Sequence, residues 1–243
     1  GQILFNGRDI LQKENLKSFR KSAQMIFQNP YASLNPRMRI YDILKEPLLV
    51  NGIKDKTEIQ NKIYEVCELT GIDKNSLNYY PHEFSGGQRQ RISIASAIIL
   101  KPEFIVADEP ISALDVSIRA QVLNLLKKFQ KEKGLTYLFI AHDLSIVRFI
   151  SDRIAVIYKG KIVEIATSEE LFLHPMHPYT KSLLSAIPVP DPRIEKNKEL
   201  FIYDPSIHDY SVETPSLVDI GGGHFVYGSS SEIEKYKELR GEK

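Results

Sequence analysis

Two adjacent carboxylates, Asp108 and Glu109, directly follow a short apolar run at residues 104–107. Such a run is typical of a buried strand, and ligands bind at the carboxyl ends of the strands in parallel α/β sheets. One carboxylate in this position can hold Mg²⁺, and its neighbour can accept a proton from an attacking water molecule. The pair therefore permits metal-assisted hydrolysis of a phosphoanhydride, although adjacent acids are also common on solvated surfaces.

Three further features have the chemistry to serve an anionic ligand. Residues 85–88 (SGGQ) open a stretch with helical apolar spacing, and the backbone N–H groups at a helix N-terminus attract negative charge. His142 and Gln28 each follow an apolar run, where a histidine can contact a phosphate and a glutamine can bind a metal ion or water. Each feature also has an ordinary structural interpretation: a glycine turn before a helix, a structural histidine and a loop glutamine. The residue types alone leave both interpretations open.

Strands and helices alternate along the sequence around these residues. Apolar runs at 23–28 and 135–141 predict strands beside the run at 104–107, and the strand at 135–141 is expected to be buried. Helical spacing of apolar residues predicts helices at 57–70 and 118–131. This alternation predicts an α/β fold with a mainly parallel sheet and helices on its faces.

Local signals predict where individual elements begin and end. Thr57 and Gln60 have the spacing of a capping box, which predicts the start of one helix, and Gly71 predicts its end. Pro47 predicts a break in the apolar helix that contains it. The charged tail at 229–243 is interpreted as a loose helix or a disordered segment.

Composition excludes several classes of protein. A formal net charge of +1 over 243 residues gives no reason to expect a nucleic-acid partner through bulk electrostatics. The single cysteine, Cys67, rules out a disulfide framework and a cysteine-ligated zinc or iron–sulfur centre within these residues. No run of roughly 18 apolar residues is present, so any membrane role is expected to come through a partner.

Taken together, the motifs resemble those of the ATP-binding subunits of ABC transporters, over about residues 1–165. Five motifs occur in the order of that family, which makes the resemblance specific. They are Phe84-Ser85-Gly86-Gly87-Gln88 for the LSGGQ signature (with Phe for Leu), residues 104–109 for the Walker B strand with its glutamate, Ser112-Ala113-Leu114-Asp115 for the D-loop, Gln28 for the Q-loop and His142 for the switch histidine.

Within that family the sequence resembles the oligopeptide and dipeptide importer branch. The resemblance rests on QNPYASLNP at 28–36, on VADEPISALD at 106–115, and on HPYTKSLLSAIPVPDP at 177–192. It implies a P-loop NTPase-like ABC ATPase fold. It also implies a nucleotide-binding domain at 1–172, with a helical subdomain at about 37–100 that carries the signature, and a C-terminal extension at 173–243.

The resemblance implies ATP and Mg²⁺ as cofactors and assigns each motif residue a role. Asp108 would help to hold Mg²⁺, Glu109 would polarise the hydrolytic water, and His142 would contact the γ-phosphate. Gln28 would link the metal to the transporter. The remaining residues would act at the boundary with a second subunit: Ser85, Gly86, Gly87 and Gln88 would close over the nucleotide of that subunit, and Asp115 would cross the dimer interface.

The implied partners are a second ABC ATPase subunit, forming a heterodimer, and two transmembrane permease subunits. An extracytoplasmic peptide-binding protein would act indirectly. Together these partners would place the chain peripherally on the cytoplasmic face of the cell membrane, as the energising subunit of peptide import. No nucleic-acid partner is expected.

One departure from the family pattern affects the expected activity. The 243 residues contain no G-x-x-x-x-G-K-[ST] phosphate loop. We therefore expect a chain that begins just after the loop and does not hydrolyse ATP alone. In the alternative function, an incompetent truncated subunit would only donate its signature motif, residues 85–88, to the ATP site of a partner. A DNA-repair ABC ATPase would need long heptad arms or zinc-binding cysteines, which the sequence lacks.

Overall fold

The computed structural model describes residues 1–188, 193, 198 and 200–241. Two compact units make up the chain, Gly1–His142 and Asp143–Lys243. This division reflects internal contacts, whereas the expected boundary at 172/173 reflects family likeness and stays a prediction. Within the described residues, no helix is long and apolar enough to span a lipid bilayer.

The first unit contains a three-stranded parallel sheet in the order β3-β4-β5. A short antiparallel hairpin, β1-β2, precedes it and turns at Asn6 and Gly7, which both have positive φ. The prediction of an α/β fold with a parallel sheet is confirmed. The strands are β1 (Leu4–Phe5), β2 (Arg8–Asp9), β3 (Ala23–Ile26), β4 (Phe104–Asp108) and β5 (Thr136–Ile140).

Six α-helices accompany this sheet in the first unit, and α5 packs against α2, α3, α4 and β3. Because most of α5 is buried among these elements, the helix holds its first residues, Gly86 and Gly87, in a fixed position. The helices are α1 (Lys13–Ser22), α2 (Pro30–Ser33), α3 (Ile40–Val50), α4 (Lys56–Thr70), α5 (Gly86–Ile98) and α6 (Val116–Lys133).

Two predictions about helix ends were wrong, and one was confirmed. The start of α4 is capped by Asp55, whose carboxylate accepts the Glu58 N–H at 2.7 Å, so the cap lies two residues before Thr57. Gly71 does end α4, in the left-handed conformation. Pro47 lies inside α3 without ending it, because buried apolar side chains on both sides of the proline keep the helix packed.

The strand β5 is not buried on both faces, which corrects the prediction for 135–141. Leu138 and Ile140 are 51% and 44% exposed, and burial alternates along the strand. The central strand β4 alternates in the same way, with Ile105 and Ala107 fully buried. The sheet therefore packs within the described chain mainly through one face, and a continuous apolar run does not reveal this.

The second unit contains a four-stranded antiparallel sheet in the order β6-β7-β9-β8. Of the two interpretations of the charged tail, the described residues show the helix: Ser230–Gly241 is helical and buries Ile233 and Tyr236. The VPDP part of the family resemblance, 189–192, lies outside the described residues. The elements are α7 (Leu144–Ile150), β6 (Arg153–Tyr158), β7 (Lys161–Thr167), α8 (Ser168–Leu173), α9 (Pro178–Ser185), β8 (Ser216–Asp219), β9 (Phe225–Gly228) and α10 (Ser230–Gly241).

A buried carboxylate organises the second unit. Glu164, on β7, is fully buried and accepts a hydrogen bond from His224 Nε2 at 2.7 Å. It also accepts the backbone N–H groups of Met176 at 2.8 Å and His177 at 3.1 Å, just before α9. Glu164 therefore ties the sheet to the segment that begins the HPYTKSLL motif.

Candidate functional site

Glu109 is held by one side chain at each of its carboxylate oxygens. Gln28 Nε2 donates to Oε2 at 2.6 Å, and His142 Nδ1 lies 2.9 Å from Oε1. The His142 side chain is 75% exposed, whereas that of Glu109 is 24% exposed. The structure thus brings together three residues that lie 81 and 33 positions apart in the sequence.

These three residues meet because they follow three parallel strands, β3, β4 and β5, whose carboxyl ends lie at one edge of the sheet. The Glu109 N–H donates to the Ile140 carbonyl at 2.9 Å and extends the β4–β5 ladder by one step. The chain then turns sharply, since Glu109 has a φ of 42°. A non-glycine residue in this conformation costs about 1–3 kcal/mol and must be held in place by its surroundings.

Ser112 supplies part of that support for Glu109. Its N–H and its hydroxyl both donate to the Glu109 carbonyl oxygen, at 3.2 and 3.1 Å. Glu109 is therefore constrained at its N–H, its carbonyl and its carboxylate.

The contacts at the carboxylate also set its charge. The pKa of Glu109 lies below its ordinary value, chiefly because His142 hydrogen bonds to the ionised form, and the hydrogen bond from Gln28 lowers this pKa further. Glu109 is consequently ionised at neutral pH. Because a carboxylate only accepts hydrogen bonds, His142 carries a hydrogen on Nδ1, and its Nε2 is directed away from Glu109.

Asp108 and Gln28 offer oxygen atoms that suit a hard cation at this edge of the sheet. Asp108 is the last residue of β4 and is half-buried. Gln28 uses its amide nitrogen on Glu109, which leaves the amide oxygen for another partner. Within the described residues, no group of three or more His, Cys, Asp or Glu side chains is arranged to hold a metal ion. This donor set fits Mg²⁺, which takes few protein ligands and completes its shell with water and phosphate oxygens.

The residues of the SGGQ segment form a capping box at the start of α5. Ser85 Oγ accepts the Gln88 N–H at 3.3 Å, and Gln88 Oε1 accepts the Ser85 N–H at 2.9 Å. Gly86 and Gly87 form the first two positions of the helix, and their amides take no part in the box. Among the described residues, no hydrogen bond joins this box to Glu109. The box is therefore separate from the Glu109 cluster, and the amides at this helix N-terminus have the chemistry to attract an anion.

The two glycines of this segment differ in what surrounds them. A Cβ atom at Gly87 would lie 2.5 Å from Ile118 Cγ2, a separation that real side chains do not reach. At Gly86 the same atom would meet nothing within 4 Å. The close approach of Ile118 on α6 to the start of α5 therefore requires a glycine at 87, and nothing within the first unit requires one at 86.

Asp115 lies apart from the Glu109 cluster, in the exposed turn before α6. It occupies the N-cap position without a side-chain capping bond. Leu114 is buried and anchors the turn, whereas Ala113 and Val116 face outward on either side. The turn therefore presents Asp115 at the surface, where a partner can reach it.

Comparisons with known proteins agree with this geometry. The sequence model of the ABC transporter family matches residues 1–112, and that of the oligopeptide/dipeptide transporter C-terminal region matches 163–211. The oligopeptide transport ATP-binding protein OppF of Streptococcus pyogenes serotype M1 is 58% identical over 98% of this chain and 80% of its own length. The oligopeptide transport ATP-binding protein AmiF of Streptococcus pneumoniae serotype 4 is 56% identical over 98% of this chain and 79% of its own length.

The chain belongs to the ABC transporter ATP-binding proteins of the oligopeptide/dipeptide type. The family prediction is confirmed, and with it the prediction of an ATP-hydrolysing enzyme. A solved structure of the ATP-binding cassette MJ0796, a dimer in a post-hydrolysis state bound to ADP and Pi, has 26% identity and a TM-score of 0.61, over 69% of this chain and 73% of that one. The fold prediction is confirmed by this likeness. The roles of individual residues stay predictions.

Sequence reasoning missed an arginine that anchors the ABC signature helix. Arg89 is only 5% exposed, donates to the Pro81 carbonyl at 3.1 Å and contacts the Tyr31 hydroxyl. Its guanidinium carbon lies 3.5 Å from the centre of the Tyr31 ring, which links α2 to α5. The sequence does not single out Arg89, because the first half of α5 also contains Gln88, Gln90 and a second arginine, Arg91.

Proposed function

We propose that this protein energises the import of oligopeptides or dipeptides by hydrolysing ATP, with Glu109 as the base that activates water. The names of its relatives support the transport class. The single observation that carries the role of Glu109 is its ionised carboxylate, held between Gln28 and His142 at the carboxyl edge of a parallel sheet. A carboxylate so placed accepts a proton from water and orients the water for attack.

The neighbouring residues have supporting roles in this proposal. Asp108 and the amide oxygen of Gln28 would hold Mg²⁺, which would neutralise negative charge on the phosphate groups. His142 keeps its Nδ1 hydrogen on Glu109 and directs Nε2 toward a phosphoryl oxygen. Gln28 thus contacts both the metal site and the base Glu109, so a displacement of the loop that carries Gln28 would change the geometry of both.

A second subunit completes the site in the proposed assembly. The capping box and the open space at Gly86 fit a role in which residues 85–88 close over the nucleotide of that subunit. The exposed Asp115 crosses the same interface. The remaining partners are two permease subunits and, indirectly, an extracytoplasmic peptide-binding protein. The chain then lies on the cytoplasmic face of the membrane, in a heterodimer.

The proposed domain roles follow the boundary at 172/173 that the family resemblance implies. Residues 1–172 form the nucleotide-binding domain, including a helical subdomain at about 37–100, and residues 173–243 form the extension typical of peptide transporters. The match of the C-terminal region model to 163–211 supports this assignment.

A second candidate function uses only the signature side of the chain. The capping box of residues 85–88 is complete, and no hydrogen bond among the described residues ties it to Glu109. A subunit that serves only its partner's ATP site needs that box and does not need Glu109. In the first function ATP hydrolysis depends on Glu109, whereas in the second it depends only on residues 85–88.

Glu109→Gln in the full-length subunit, within the assembled transporter, tests the leading proposal. ATP binding is expected to persist while hydrolysis falls about 10²- to 10⁴-fold, the usual contribution of a general base. Glu103→Gln is the matched control, because Glu103 precedes β4 and its exposed carboxylate accepts hydrogen bonds from the side chains of Asn6 and Ser22, away from Glu109. Its hydrolysis is expected to equal that of the wild type.

Two results would contradict this proposal or redirect it. Undiminished hydrolysis in Glu109→Gln removes Glu109 from the role of base. If hydrolysis survives that change but is lost in Gly86→Asp, the chain serves only the partner's site. Unfolding is not expected to explain such a loss, because an acidic residue in the first turn of a helix stabilises it and Gly86 has open space around it.

A further inference from the structure

Arg119 connects the first turn of α6 to the loop that follows Glu109. Its Nε donates to the Leu114 carbonyl at 2.7 Å, and its Nη2 lies 3.5 Å from the Ser112 carbonyl. Its side chain therefore spans the loop and reaches two carbonyls that α6 itself does not hold. We propose that Arg119 is a positioning residue, which holds the Glu109 backbone in its active conformation by acting through Ser112.

The connection from Arg119 to Glu109 runs through a single residue. Ser112 offers its carbonyl to Arg119 and uses both its N–H and its hydroxyl on the Glu109 carbonyl, at 3.2 and 3.1 Å. Glu109 has positive φ, a conformation that persists only when its surroundings enforce it. Release of Ser112 therefore frees Glu109 to relax, and its carboxylate then leaves Gln28 and His142.

An arginine suits this position better than another donor. The guanidinium group holds several N–H groups in one rigid plane, so one side chain can bond two carbonyls at fixed relative positions. Bonds from a charged donor are also stronger than those between neutral groups. The Leu114 side chain is buried, so the loop is fixed at that side chain and at its carbonyl, while Asp115 stays exposed.

This inference rests on the proposed role of Glu109, and it predicts a specific kinetic effect. Among the described residues, no hydrogen bond or ion pair joins Arg119 to Asp108 or to the capping box of residues 85–88, so its loss is expected to leave ATP affinity unchanged. Arg119→Gln should lower kcat about 10- to 100-fold with KM for ATP unaltered, the pattern of an interaction needed only in the transition state. Arg119→Lys keeps a charged donor and should stay within about threefold of wild-type kcat.

A double-mutant cycle separates positioning through Ser112 from a general loss of structure. The variants Arg119→Gln, Ser112→Ala and their combination are assayed for ATP hydrolysis in the assembled, full-length transporter. The double variant is expected to lose no more activity than the worse single variant, because both changes break the same connection. Arg153→Gln is the matched control, since Arg153 also donates to a backbone carbonyl, that of Gly223, at 3.3 Å.

Each outcome decides the inference. The inference is overturned if Arg119→Gln has the wild-type kcat, or if its loss of kcat/KM comes from a rise in KM. It is also overturned if Arg153→Gln loses as much activity as Arg119→Gln. If Arg119→Gln also lowers the melting temperature, the double-mutant cycle still decides. The inference is overturned if the loss of activity in the double variant equals the product of the two single losses, and it is supported if the double variant loses less than that product. Glu109→Gln is assayed alongside. Full hydrolysis in that variant refutes the proposed function itself, whereas a dead Glu109→Gln beside a fully active Arg119→Gln refutes only the role of Arg119.

Discussion

The contact between Gly87 and Ile118 predicts a destabilisation that can be estimated from the structure. A Cβ atom at Gly87 would lie 2.5 Å from Ile118 Cγ2, so the two helices must separate or distort. The Ile118 methyl group cannot swing aside, because a β-branched side chain on a helix has one strongly preferred rotamer. Overpacking of this kind costs about 1–3 kcal/mol, and replacing a helical glycine by alanine returns at most about 1 kcal/mol. With the full return, Gly87→Ala should therefore lower the free energy of unfolding by up to about 2 kcal/mol.

Urea unfolding of the full-length protein at 25 °C measures this difference. Ile118→Ala removes the opposing methyl group, so Gly87→Ala is expected to cost nothing in that background, with a coupling energy of about 1–3 kcal/mol. Gly86→Ala is the matched control: it has open space and should be neutral or stabilising by up to about 1 kcal/mol. Additive effects of Gly87→Ala and Ile118→Ala would refute the reasoning, as would equal effects at the two glycines.

Three further predictions follow from the charged and buried groups. His142→Ala removes the chief cause of the lowered pKa of Glu109, so the acid limb of the hydrolysis–pH profile should move to higher pH; an unmoved limb contradicts this. Glu164→Gln keeps one acceptor oxygen and replaces the other by an amide group that faces a backbone N–H, so it should cost about 1–3 kcal/mol in urea unfolding, and unchanged stability would contradict the role of Glu164 as a buried acceptor. Burial raises the pKa of Cys67 to about 11, so roughly one thiol in a thousand is ionised at pH 8, and a thiol reagent should react with it only after unfolding; rapid labelling of the native protein would refute this.

The sequence located the candidate site better than it described how the site is supported. Gln28, Glu109 and His142 each follow a strand-like run, and parallel strands place such residues at one edge, where the structure finds them hydrogen bonded. The support from Ser112 and Arg119 was missed because it depends on backbone carbonyls. Their direction is set by the conformation of a loop and not by residue type or spacing.

Packing across long sequence separations limited the rest of the sequence-based description. The exposed face of β5 was not predicted, because an apolar run has the same composition whether one or both of its faces are covered. The hairpin of β8 and β9 was missed since its strands have four residues each, and β9 pairs with β7, which lies more than fifty positions earlier. Strands this short are specified by their partners and not by their own pattern.

The two signature glycines, Gly86 and Gly87, meet different requirements within one short motif. Substitution of Gly87 disturbs the packing of α5 on α6, so a loss of ATP hydrolysis in such a variant says little about nucleotide contact. No described residue lies within 4 Å of a Cβ atom placed at Gly86, so a loss of activity in a Gly86 variant points to a partner or a ligand that approaches it. Gly86→Ala is therefore the informative probe of the proposed interface. Unchanged hydrolysis in that variant would mean that the space beside Gly86 stays empty during turnover.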